Sequence, residues 1–477
     1  MTTSAEVAII GAGFAGICLA AQLKLKGFED FVILEAASDI GGVWRDNTYP
    51  GCACDIPAVL YSYSFEPGYP WTKAYPSHAE ILQYIRWVFA KYELERHLVL
   101  SARITAAAFD EASARWRLKT AEGQLFDSAF FVSAVGIFNN PSVPAIAGLE
   151  DFQGEVLHSA LWRADVDLTG KRVAVIGTGA SAIQIVPELA KTAEKLVVFQ
   201  RTPPYVVPKA HTTLQSQDAA ADRTLIFAEF EDAARRRGDM AATKADQERF
   251  LQYLAEQVPD PELRQKLTPP FPLGCKRTLF SNDWYQGLQR PNVHVEDGGV
   301  DRVLPNAVAT GNGQSHSVDA IVLATGFHPS SFLPGMTVTG RSGSRLHEVW
   351  HEGAEAYLGV CVSGFPNLFL MYGPNTNISG SILYMIECQA RLIQQALEAV
   401  AARNARTIEV SEPAYRSYCD GIQQRLTSTA MSSSLCTSYF MNEAGRVVTN
   451  FPGTCEEYRS LTAELKQPDF VFGRSRL

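Results

Sequence analysis

The sequence lacks the features that would send it to a membrane, a secretory route or a nucleic acid. No stretch reaches the ~18 apolar residues a membrane helix needs. The first residues, MTTSAEVAIIGAGFAG, have no basic leader and break their apolar run at glycines, so they do not read as a signal peptide. No Lys/Arg block dominates: the net charge of −9 is spread along the chain, which argues against a nucleic-acid partner. The one basic run, Arg235 to Arg237, lies in helical sequence rich in Ala and Glu and reads as a solvated face. Low-complexity tracts are missing. The nine cysteines are odd in number and scattered, a pattern that suits a reducing cytoplasm better than a disulfide framework. Cys52 and Cys54 form a CxC with no second Cys/His pair nearby, so no metal site is expected there or elsewhere. What remains is a chain of 477 residues with 46% hydrophobic content, enough for two or three domains with a sizeable core.

Two stretches carry the strongest pattern. Val7 to Ile10 form a short apolar run, followed by Gly11, Gly13 and Gly16 in GxGxxG spacing, a helical apolar pattern from Ile17 to Leu25, and a second strand, FVILE, ending in Glu35. Glycines at 11 and 13 let the backbone approach a pyrophosphate, with Phe14 and Ala15 at the helix start, and Gly16 lets the helix close onto the strand. Alone, GxGxxG is a weak signal; between strand and helix, with an acid at the right offset, it is strong. The unit recurs at RVAVIGTGASAIQIVPELAKTAEKLVVFQR, 172 to 201, where Gly177, Thr178, Gly179, Ala180, Ser181 and Ala182 repeat the fingerprint. Glu35 stands 24 positions after Gly11, and Arg201 stands 24 after Gly177. A carboxylate at that strand end accepts from ribose hydroxyls and repels a 2′-phosphate, whereas an arginine attracts one. The first fold is therefore expected to bind FAD and the second NADPH, with Thr202 beside Arg201; a merely solvated Arg201 is the bland alternative. A further apolar strand ends in Ala324-Thr325-Gly326, small residues that let the chain pass close to a cofactor or cross between domains.

With these folds in place, the chain resembles the class B flavoprotein monooxygenases. The stretch GGVWRDNTYPGCACD, 41 to 55, resembles the Baeyer–Villiger monooxygenases at Gly42, Trp44, Tyr49, Pro50, Gly51 and Asp55. FQGEVLHSALW, 152 to 162, would by itself read as a loop and turn with a satisfied histidine. It fits the same family's FxGxxxHxxxW fingerprint, placed just before the second nucleotide fold, with Arg163 where the family usually has Pro or Asp. FPLGCKRTLF (271 to 280) resembles the segment delivering an active-site Lys-Arg pair, here Lys276 and Arg277, and CTSYFMNEAGRVVTNFPG resembles the last active-site segment, with Tyr439 where Trp is common.

The resemblance implies an α/β architecture of two Rossmann-like domains with a helical insert: FAD-binding parts at 1–140 and 328–477, NADPH-binding parts at 141–206 and 275–327, and the insert at 207–274. It implies an NADPH- and O2-dependent enzyme that inserts one oxygen beside a ketone carbonyl, by way of a C4a-peroxyflavin. Arg277 would hold the peroxide anionic, with Asp55 positioning the guanidinium and lying near the flavin. Lys276 would join Arg201 on the 2′-phosphate. Gly42, Val43, Trp44 and Tyr61 would lie near the flavin, and His158 would tie the domains together rather than move protons. The residues imply no particular oligomeric state. Three other readings compete: a sulfide- or amine-oxidising relative, kept open by Arg163 and Tyr439; a disulfide reductase using Cys52 and Cys54, disfavoured by the CxC spacing; and a nucleotide binder without turnover.

Overall fold

The computed structural model describes residues 3–211, 213, 219–237, 240–378, 380–433, 435–436 and 438–473. Strand Thr3–Ile10 sits between Phe31–Leu34 and Leu125–Ser133, parallel to both, and Val7, Ala8 and Ile9 are wholly buried. A strand covered on both faces reads as an unbroken apolar run, which is why VAII and FVIL show no alternation. Each such Val or Ile contributes about 1.5–3 kcal/mol by leaving water. The same sheet turns antiparallel through Leu125–Ser133, Arg115–Thr120 and Ile104–Asp110. There, Arg115–Thr120 alternates open and buried positions, the sign of a strand with one solvated face. The chain returns late to this sheet: Thr337–Thr339 joins Ile104–Asp110, and Leu368–Leu370 joins the end of Leu125–Ser133.

The second sheet is all parallel, in the order Val293–Glu296, Lys195–Phe199, Arg172–Ile176, Ala320–Leu323, Glu155–His158. Its far edge is the stretch that would read as a loop. Glu155–His158 pairs along Ala320–Leu323, and the residues around it explain the FxGxxxHxxxW spacing. A Cβ on Gly154 would lie 2.3 Å from the Asp319 carbonyl and 2.6 Å from the Phe152 ring, so only glycine lets the strand start there. Phe152 is buried in one face of this domain's core, and Trp162 rests against the other.

Residues 219–266 form three helices, Ala219–Arg237, Met240–Gln257 and Pro261–Lys266. They bridge the two sheets' cores. Arg223 donates to the Val59 and Ser62 carbonyls, and buried Glu231 accepts from the Cys455 and Glu456 amides. Phe250, Leu254 and Val258 are buried in the core of the second domain. Among the described residues no helix is long and apolar enough to cross a membrane.

Candidate active site

The two glycine fingerprints share one backbone plan. The Gly11 amide donates to the Leu34 carbonyl and the Gly177 amide to that of Phe199. Both glycines are left-handed, at φ +108° and +112°, and a Cβ on either would lie 2.7 Å from the Ala134 oxygen or 2.4 Å from the Ala324 oxygen. Each crossing is thus closed by a strand ending in a small residue: Ala324-Thr325-Gly326 in the second fold and Ala134-Val135-Gly136 in the first. The sequence reading missed the first-fold counterpart, although AFFVSAVG at 129–136 mirrors AIVLATG at 320–326.

The folds differ at the third position. The first helix, Phe14–Leu25, starts at once, with Gly16 packed onto the turn. In the second, Ala182–Thr192, the Ala182 methyl is buried in the domain's core.

Glu35 is buried, and its carboxylate accepts from the Ala12 amide at 2.7 Å and the Ala37 amide at 2.9 Å. The strand-end acid therefore also holds the fingerprint loop. Gly42 and Gly13 face one another, a Cβ on Gly42 coming 3.3 Å from the Gly13 Cα, so two bare backbones line this mouth. Val43 and Trp44 begin a one-turn helix, Val43–Asp46. The Trp44 indole donates to the Tyr61 hydroxyl at 3.1 Å, and Tyr61 stands edge-on to Phe14, centroids 5.3 Å apart.

The rest of that stretch docks on the other domain. The Tyr49 hydroxyl donates to Gln184 Oε1, and Gln184 Nε2 donates to the Ala53 carbonyl, so the first fold's motif grips the second fold's helix. Cys52 and Cys54 are free and buried, and burial pushes the Cys52 thiol up to about 11 and raises Cys54 further. Such thiols are inert at neutral pH, which argues against the disulfide-reductase reading.

Asp55 and Arg277, 222 residues apart, meet at 2.6 Å between Oδ2 and Nη2. The Asp55 charge raises the Arg277 pKa, opposed by burial. Arg277 keeps 37% of its side-chain surface accessible, so solvent screens the pair and its worth to stability is small. Tyr439 lies near enough to feel the Arg277 charge, which opposes the upward push of desolvation on its phenol pKa. The Asp55 charge is also felt by Lys209, a neighbouring cation absent from the sequence reading.

On the far side of the same segment, Lys276 donates to Thr202 Oγ1 at 2.8 Å and lies near enough to Arg201 for mutual repulsion. Burial first, and Arg201 second, lower the Lys276 pKa. Among the described residues neither cation has a carboxylate partner within salt-bridge distance. Two unbalanced cations at a strand end fit a phosphate monoester. Arg201 opens on a cavity of about 380 Å³ that is also lined by Glu262, Gln265 and Lys266 of the third inserted helix, a contribution the sequence did not reveal. Thr178 donates to the Thr202 carbonyl, and nothing lies within 4 Å of a Cβ built on Gly179, leaving its backbone open for a dinucleotide.

His158 is buried and takes no place beside Arg277. Its Nδ1 accepts from the Ala160 amide and its Nε2 faces Thr325 Oγ1 at 3.4 Å, tying the edge strand to the crossover. Burial lowers its pKa, which keeps the ring neutral. Arg163 pairs with Glu155 on the surface and touches none of these groups.

One expectation is corrected. The cysteine pattern argues for no disulfide, yet Cys275 and Cys436 are joined, with Cα atoms 5.4 Å apart across 161 residues. Spacing along the chain is blind to a pair brought together only when the last segment folds back over the second domain. The bond links the residue next to Lys276 with the segment carrying Tyr439. Denatured, unreduced protein should therefore show seven titratable thiols, rising to nine after reduction; nine in both states would contradict the bond.

Residues 4–221 match the family model described as flavin-binding monooxygenase-like. The chain is 38% identical to a Baeyer–Villiger monooxygenase of Pseudomonas aeruginosa, over 96% of this chain and 90% of that protein. It is likewise 38% identical to one of Streptomyces coelicolor, over 98% and 92%. Among solved structures, an oxidised steroid monooxygenase bound to NADP superimposes with a TM-score of 0.90 at 30% identity, covering 99% of this chain and all of that one. A cyclohexanone monooxygenase from Rhodococcus bound to NADP+ gives 0.87 at 27% identity, with the same coverage. Taken with the paired nucleotide folds, these likenesses show that the chain belongs to the Baeyer–Villiger monooxygenases.

Proposed function

We propose that this protein uses FAD, NADPH and O2 to insert one oxygen atom beside the carbonyl of a small-molecule ketone, giving an ester or lactone. The observation that carries this reading is the Asp55–Arg277 pair at 2.6 Å, a fixed cation delivered from the second domain to the mouth of the first. When bound, the flavin supplies oxygen activation and NADPH the hydride that primes it. Ketone oxygenation needs a nucleophilic, negatively charged oxygen, whereas sulfide or amine oxidation needs a protonated one. Arg277 stays protonated and presents planar donors, so it favours the anion. Asp55 orients the guanidinium, while the Cys275–Cys436 link restrains the backbone beside it. Residues 11–16, 35, 42–44 and 61 would hold FAD; residues 177–182, Arg201, Thr202 and Lys276 would hold NADPH.

The test is product analysis with ketones and sulfides offered in parallel under NADPH and air. Esters should predominate; sulfoxide with no ester from any ketone would overturn the reading. Arg201→Ala should raise the KM for NADPH about 10–100-fold, the loss of one or two charge-assisted hydrogen bonds. The KM for NADH should stay nearly unchanged, and equal effects on both would remove Arg201 from the 2′-phosphate.

A further inference from the structure

Three potential ligands converge on the outer edge of the second sheet, a place that no motif marks for a metal. Residues 294 and 296 fall on one face of strand Val293–Glu296, as the two-residue period of a strand requires. His316 comes from Ser315–Ser317, in the separate three-stranded antiparallel sheet. Glu296 Oε2 lies 3.1 Å from His316 Nε2 and 3.7 Å from His294 Nε2, and all three atoms lie within 4.8 Å of one another. We infer that His294, Glu296 and His316 form a binding site for a divalent transition metal of the Zn2+ class.

Two imidazoles and one carboxylate are the ligand set that such ions prefer, and the fourth position would fall to water. Bonds of about 2.0–2.1 Å in tetrahedral geometry place ligands about 3.3 Å apart. The Glu296 distances bracket that value, so a small swing of His294, whose side chain is 47% accessible, closes the set. The other two ligands are already held. Glu296 is 3% exposed, and its Oε1 accepts from the Gly298 amide at 3.1 Å, leaving Oε2 for the site. His316 stands edge-on to Phe199, centroids 5.7 Å apart.

A plain buried ion pair would account for His316 alone; it does not account for a second imidazole turned to the same oxygen. The consequence reaches the nucleotide. The Glu296 main-chain carbonyl accepts from the Gln200 main-chain N–H, and both Gln200 and Asp297 line the cavity beside Arg201. A bound ion would clamp the small sheet to that strand end. Lys266 lies close enough to repel a positive charge at His294 and lines the same cavity, so it opposes the ion's charge.

The experiment uses untagged holoenzyme dialysed against a chelator, then titrated with Co2+ and Zn2+. Wild type should bind one equivalent saturably, with a Co2+ visible band of tetrahedral intensity that Zn2+ displaces. His294→Ala, an exposed change that leaves the core intact, should weaken binding by more than about tenfold, as should His316→Ala. Absence of saturable binding, or unchanged affinity in both variants, would overturn the proposal.

Discussion

Arg277→Ala is expected to lower ester formation by about 100-fold or more, with reduction of the flavin by NADPH nearly unchanged. Removing one fixed donor to a developing oxyanion typically costs about 3 kcal/mol or more of transition-state stabilisation, and each 1.4 kcal/mol is a factor of ten. On the proposed reading NADPH is held by Arg201, Thr202 and Lys276, away from the Asp55 side of Arg277's segment, so the hydride step should be spared. Stopped-flow reduction and steady-state product formation, measured on one preparation, separate the two. Arg277→Lys keeps the charge but loses the planar fork that Asp55 grips, and should fall between wild type and alanine. Truncation leaves Asp55 without its partner, so thermal stability is measured alongside. Ester formation within about threefold of wild type in Arg277→Ala would remove the residue from the oxygenation step, whatever the reduction rate.

Gly16→Ala should yield a nearly colourless protein. A Cβ at this position would lie 1.9 Å from the Gly11 carbonyl oxygen and 3.1 Å from its carbon. Both are backbone atoms of the tight turn and cannot swing aside. Either helix Phe14–Leu25 lifts off strand Thr3–Ile10 or the turn deforms, and both outcomes draw the Gly13 region away from a bound pyrophosphate. Loss of two hydrogen bonds to a charged group, at about 1.5–3 kcal/mol each, lowers affinity at least 100-fold. The ratio of FAD to protein after desalting is the readout. Gly68→Ala is the control, because nothing lies within 4 Å of a Cβ there. A Gly16→Ala protein that stays as yellow as the control would mean the turn has slack the structure does not show.

The contrast between Gly16 and Ala182 shows how far local pattern can go. Both occupy the third place of a fingerprint, and the sequence alone shows only that alanine is tolerated in one. The difference lies in the packing: a Cβ on Gly16 would lie 1.9 Å from the Gly11 carbonyl oxygen, whereas the second fold takes the Ala182 methyl into its core. FxGxxxHxxxW was legible as a signature but not as a strand, because four residues ending in His carry little apolar run of their own. Pairing with Ala320–Leu323, more than 150 residues on, makes Glu155–His158 a strand. Arg277 and Asp55 could be named singly from their motifs; Lys209, Gln184 and the third inserted helix could not, since no motif marks them.

By itself the sequence determined the two nucleotide folds and the opposite charges at their strand ends. Those depend on residues within about thirty positions of one another, where strand, turn and helix preferences act locally. Only the tertiary structure decided the Cys275–Cys436 link, the His294–Glu296–His316 cluster, and the distance at which Arg277 meets Asp55. The first and last join segments 161 and 222 residues apart, and the cluster joins strands of two different sheets; the free energy that holds such segments together comes from burying whole faces. No short stretch records which distant side chains the burial will bring together.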